Sequence, residues 1–189
     1  YKVNPVNLGF AGNLDEVARM AAGERLIMLS SDDIILPEAL EIYRILLEQM
    51  KDSNMVISSS LDIIEAQDDI IGDNGPSPVV WKEDDLDADL SEVAGAKVYR
   101  MKAEERLRRC IRSNRNPFNF CTTCYPRRAY KRTGGYTGSR MINPDKWFHW
   151  RLLLQVDEAL FVDRPLFQYR WHDRNQTAQQ ANSGHLKYV

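Results

Sequence analysis

No apolar run in this sequence approaches the roughly 18–20 residues that a membrane-crossing helix needs, so no such helix is expected. Cysteine is scarce, with three in 189 residues. Three cannot all pair with one another, and a reduced, cytoplasmic setting is the simpler expectation. Charge of one sign is also lacking: 25 Lys and Arg stand against 27 Asp and Glu, for a formal net charge of −2. That argues against nucleic acid as a partner, since such binding draws on bulk positive charge. A Gly-rich phosphate loop and a Gly-x-Ser-x-Gly elbow are both missing, which removes the kinase and lipase motifs. There is no internal repeat. The chain opens at Tyr1 with neither Met nor a signal-peptide pattern, and reads as a piece of something longer.

What is present describes a globular domain. Hydrophobic residues make up 43% and charged residues 28%, and the length suffices for one domain with a real core. The organising stretch is Leu29-Ser30-Ser31-Asp32-Asp33-Ile34-Ile35-Leu36-Pro37. Leu26–Leu29 before it is short and apolar, as a buried strand would be. Pro37 after it opens a helical pattern with Leu40, Tyr43, Leu46, Leu47 and Met50 on one face. Two carboxylates therefore sit where a strand ends, the place where open α/β sheets gather ligands. Such a pair suits a hard divalent cation shared with a phosphorylated ligand. The alternative is a polar turn whose aspartate caps the next helix.

Along the rest of the chain, Asn13–Ala22 reads as a helix (Leu14, Val17, Ala18 and Ala21 in phase) with Gly23 as its left-handed cap. Met55–Ile64 reads as a strand. This α/β alternation predicts a mixed or parallel sheet with helices on its faces. Between Asp62 and Glu92 acids dominate, and a hairpin of Ile70-Ile71 with Val79-Val80-Trp81 is expected before an exposed loop. The acids lack the spacing of an EF-hand. Val98–Asn114 reads as one basic helix. Such a face can lie on an anionic membrane surface, be solvated, or pair with the preceding acidic segment. Cys121-Thr122-Thr123-Cys124 lies in a β-like run, Phe118–Tyr125, and reads as two small strand residues rather than a redox or zinc motif.

Four segments together resemble family 2 glycosyltransferases of the GT-A fold. The first is Asn7-x-Gly9, a helix, Gly23-Glu24, the strand and the acidic motif with its Pro-led helix. The second is the short helix ending in Gly134-Gly135-Tyr136. The third is Asp145 opening a helix, with Arg151 six residues later. The fourth is the closing strand that ends Tyr169-Arg170-x-His172. They cover residues 7–51 and 118–177. The family usually has Asp-x-Asp at the metal motif. This chain has Ser30-Ser31-Asp32 and keeps only the second acid.

The resemblance implies a mixed α/β sheet flanked by helices and an inverting transfer of sugar from a nucleotide-sugar to an acceptor hydroxyl. It implies that Asp145 is the general base, that Asp32 holds a divalent metal, Mn or Mg, and that His172 binds the metal or the diphosphate. By the same token Ser30, Asp33 and Arg170 face the donor. The acceptor would be a glycan, a lipid carrier or a protein, and the location cytoplasmic, at the inner face of the membrane if the basic helix rests there. Residues 1–177 would form the transferase-like domain, lacking the family's N-terminal nucleotide-binding part, with 178–189 as a tail. The sheet edge so left bare would favour self-association. The competing expectation is a degenerate, non-catalytic sugar- or nucleotide-binding scaffold.

Overall fold

A computed structural model describes residues 2–136, 144–172 and 175. Two long strands form its spine. β3 (Met55–Ile64) and β7 (Glu158–Arg170) pair in parallel along the whole of β3. The other edge of β7 takes β5 (Lys97–Lys102) along its first half and the short β2 (Ile34–Ile35) along its second, both antiparallel. The other edge of β3 takes β6 (Cys124–Pro126) and then β4 (Ile70–Asn74), again antiparallel. β1 (Arg25–Ile27) lies outside β6. Two antiparallel steps make β1 parallel to β3 and β7, so the carboxyl ends of these three strands share one edge.

Helices cover both faces. Side chains alternate across a strand, so Ala159 and Phe161 join one core while Leu160 and Val162 join the other. The first core takes Leu14 and Ala18 of α1 (Gly9–Met20) and Cys110 of α4 (Ala103–Ser113). It also takes Ala129 of α5 (Arg127–Thr133), with Phe148 and Leu152 of α6 (Pro144–Leu153). The second takes Ala39, Ile42, Tyr43 and Leu46 of α2 (Ala39–Gln49) with Leu90 and Ala94 of α3 (Ala88–Ala94). The α2 set repeats at helical spacing, and Leu40 falls outside it, exposed.

Several local expectations are corrected. Pro37 stands in a turn two residues before α2, not at its first position. α1 begins at Gly9, exposes Val17, and ends on an extended Ala21, so Gly23 is no left-handed cap. The basic stretch is not one helix. Its first part is β5, where Val98 and Tyr99 suit a strand and the edge of β7 supplies backbone partners. The partner of Ile70–Asn74 is β3, while Val80 and Trp81 donate to the Ser77 carbonyl in a turn. Trp81 then packs on Tyr99 and Phe161. Within Phe118–Tyr125 only the last two residues are strand. Before them Thr122 and Thr123 donate their hydroxyls to the Asn119 carbonyl, bonds that compete with a sheet ladder.

The acidic and basic segments pair with each other. Arg109 meets Asp85 at 2.5 Å and Arg100 meets Asp87 at 3.4 Å. All three cysteines are buried and free. Burial pushes the Cys124 thiol up to about 11 and Cys121 higher still, which leaves both inert at neutral pH. No described helix is long and apolar enough to cross a membrane. The expected tail, 178–189, lies outside the described residues.

Candidate functional site

The chain leaves β1 through a turn in which the Asp33 N–H donates to the Ser30 carbonyl at 3.3 Å. The two adjacent aspartates then part ways. Asp33 is buried and accepts the Arg170 backbone N–H at 3.1 Å, tying the turn to the end of β7. Burial raises its pKa, with Asp32 beside it acting the same way, against hydrogen bonds from Arg170, Ser30 and Cys121. Asp32 points outward, and its Oδ2 lies 2.9 Å from His172 Nε2. Their side chains are 32% and 35% exposed, enough for a ligand to reach both.

Arg170 braces this end of the sheet. Its Nε donates to the Asp32 carbonyl at 3.1 Å, another nitrogen donates to the Glu65 carbonyl at 2.7 Å, and its fork meets Asp68 at 2.6 Å. The backbone N–H of His172 donates to Asn175 Oδ1. Asp32 follows β1 and His172 follows β7, so the pair stands at the shared carboxyl edge.

Asp145 is held by a different element. It sits in the first turn of α6, where a carboxylate is favoured by the helix dipole. Its Oδ2 accepts from Asn116 Nδ2 at 2.8 Å, and Asn116 Oδ1 lies 3.0 Å from His149 Nδ1. A carboxylate only accepts, so the amide NH2 faces Asp145 and the amide oxygen faces the ring. The ring proton is therefore on Nδ1. His149 is fully buried, and desolvation lowers its pKa to about 4, with Asp145 opposing and Arg106 adding to the shift. Phe118 meets the ring edge-on at 5.5 Å.

Asn116 belongs to a loop that runs from α4 to β6. Lys146 ties its start by donating to the Asn114 carbonyl at 2.9 Å, and buried Arg106 donates to the Pro117 carbonyl. Five residues after Asn116, Cys121 lies close enough to Asp33 to help hold its pKa down. One loop thus touches both the Asp145 carboxylate and the inward acid of the Ser30–Asp33 turn.

The Gly134-Gly135 turn supports α6 from the other side. Arg151 donates to the carbonyls of Thr133 and Gly135 at 2.6 and 2.7 Å. Buried Asp15 accepts from the Tyr130 hydroxyl and the Tyr136 backbone N–H, each at 2.7 Å.

Ser30, Asp32, Asp33, Arg170 and His172 therefore gather at one sheet edge, with Asp33 and Arg170 engaged in holding it together. Asp145 is linked to them through the loop. Among the described residues no group of three or more His, Cys, Asp and Glu is placed to hold a metal. Asp32 and His172 supply two donors of suitable kind. Neither Asn116 nor His149 belongs to a motif singled out from the sequence. The signals were an Asn-Pro turn dipeptide and the four-residue spacing of Asp145 and His149, which puts both on one helix face.

No family model and no curated relative matches this chain. Among solved structures it is similar to residues 1–349 of TarS from S. aureus, in complex with UDP-GlcNAc, with a TM-score of 0.56 and 13% identity. The match covers 86% of this chain and 39% of that one, so the chain spans well under half the length of that structure. With its mixed sheet flanked on both faces by helices, the fold is GT-A-like.

Proposed function

We propose that this chain is the catalytic part of an inverting, family 2-like glycosyltransferase that moves a sugar from a nucleotide-sugar to an acceptor hydroxyl. The observation that carries the reading is the Asp32–His172 pair, brought together over 140 residues at the carboxyl edge of a glycosyltransferase-like sheet. TarS was solved with UDP-GlcNAc, which makes a nucleotide-sugar the natural donor class.

A divalent ion, Mn or Mg, would be held by Asp32 and His172, with phosphate oxygens completing its shell as is usual for Mg. When bound it supplies positive charge to the leaving diphosphate. Asp145 takes the proton from the acceptor hydroxyl as general base. That oxygen forms its bond to the anomeric carbon as the bond to diphosphate breaks on the opposite face. Asn116 orients the Asp145 carboxylate through Oδ2, and the protein aligns the two reactants.

Ser30, standing where an acid is usual, favours a second reading: a degenerate domain that binds sugar or nucleotide without transfer. An assay of nucleoside diphosphate release with a panel of nucleotide-sugars, UDP-GlcNAc first, against glycan, lipid-carrier and protein acceptors, separates the two. Metal-dependent release that requires acceptor supports the transferase. Donor binding without turnover across the panel supports the scaffold.

A further inference from the structure

At the amino end of β1, opposite to Asp32, lies a cleft of about 480 Å3. Five cations line it: Arg25, Lys51, Arg127, Arg128 and Lys131, with Glu24 as the one acid. The backbone places them there. β6 ends at Pro126 against Arg25, and α5 starts at once with Arg127. The Arg127 N–H donates to the Glu24 carbonyl at 2.8 Å, and its guanidinium donates to the Ala22 carbonyl at 3.1 Å. Arg128 and Lys131, three apart on α5, face the same side. Half-buried Arg25 is anchored by a 2.6 Å bond to the Met55 carbonyl.

Among the described residues some arginines outside the cleft are ion-paired, while Arg106, Arg112, Arg115, Arg132 and Arg151 are not. Arg44 is paired with Glu41, Arg100 with Glu158, Arg109 with Asp85 and Arg170 with Asp68. Among the described residues none of the five cleft cations makes an ion pair. Burial, and then Arg128 nearby, lower the pKa of Arg25, against Cys124 and Glu24. Five like charges are thus gathered in one concavity with Glu24 as the one acid among them.

We propose that this cleft binds a phosphate-bearing small molecule. Three guanidinium forks match the geometry of phosphate oxygens, and the volume lies in the range of small-molecule sites. The rest of the lining is small or polar and contains no aromatic ring. The cleft and the Asp32–His172 pair lie at opposite ends of the parallel strands, and the inference stands independently of the transferase reading.

The test is an amide NMR titration of the 189-residue chain, with chelator present, using glucose 6-phosphate, glucose, sulfate and inorganic pyrophosphate. Saturable shifts with glucose 6-phosphate are expected at residues 22–25 and 127–131, with a dissociation constant of about 1 mM or tighter. Residues 30–33 and 170–172 stay unmoved, and glucose gives no response. The exposed double variant Arg128→Gln, Lys131→Gln should weaken binding by about tenfold or more with its spectrum otherwise intact. Pyrophosphate competing for the same amides supports a phosphate subsite. Sulfate binding equally well marks a general anion patch and overturns the proposal. So do undiminished binding by the double variant, shifts centred on residues 30–33, absence of saturation, or tighter binding of a single-stranded oligonucleotide at the same amides.

Discussion

Asp145 is a helix-start acid that the proposed mechanism also makes the general base. Its place in the first turn fixes the backbone, and Asn116 fixes the carboxylate. Replacing it by Asn keeps the shape but removes the proton acceptor. Asp145→Asn is expected to lower turnover by about 10²–10⁴-fold while leaving donor affinity nearly unchanged. Paired rate and donor-binding measurements check this, and wild-type turnover would exclude Asp145 as the base. Asn116→Leu removes the amide that holds Oδ2 and should cost about tenfold in kcat, with little change in donor affinity. Equal losses in kcat and donor binding would instead mark a general disturbance of the site. At this scale the places of Asp32, His172 and Asp145, each at the end or start of a patterned element, were legible in the sequence. Asn116 was not, since its partners lie 29 and 33 residues away on another helix, and no local periodicity carries such a pairing.

The Gly134-Gly135 turn shows what a whole element demands of its residues. Both glycines have positive φ, +76° and +81°. At Gly134 an added Cβ meets nothing within 4 Å, whereas at Gly135 it would run into the Asp15 carboxylate and come 3.0 Å from the Tyr130 hydroxyl. Gly134→Ala should therefore cost about 1 kcal/mol from backbone strain alone. Gly135→Ala adds a clash with a buried, hydrogen-bonded acid, for about 2–3 kcal/mol. Denaturant midpoints of the two variants check the order. Equal losses would mean that Asp15 gives way without cost. The turn itself was readable from the glycine pair after a helical pattern, as were α2 and β3 from their apolar residues, while β7 was expected from the family resemblance. β5 was not, because Arg and Lys at helical spacing mimic a solvated helix face. Only pairing with β7, some 60 residues later, converts Lys97–Lys102 to strand. The loop before β6 was misread for a similar reason. There the Asn119 carbonyl accepts the Thr122 and Thr123 hydroxyls rather than the N–H of a neighbouring strand.

The molecule as a whole keeps one imidazole neutral in its larger core. His149 is buried in α6 beside Phe118 and Phe148, and its Nε2 has no hydrogen-bond partner among the described residues. Desolvation is the leading reason that its pKa falls to about 4. The unfolded chain carries an ordinary histidine near 6.5. Between these values the unfolded state binds more protons than the folded state, so stability rises with pH. The contribution is fully present above about pH 6.5 and is lost as pH falls toward 4. The shift from pH 7 to pH 4.5 should remove on the order of 2 kcal/mol through this group. Carboxylates also titrate toward the lower end of that window, so the measurement is a difference between proteins. His149→Gln keeps a side-chain donor for Asn116 but cannot take up a proton in this range. Urea midpoints of both proteins at pH 7, 5.5 and 4.5 should diverge as pH falls, the parent losing stability faster. Parallel losses would show that His149 is reached by water and takes up its proton in the folded protein as readily as in the unfolded one.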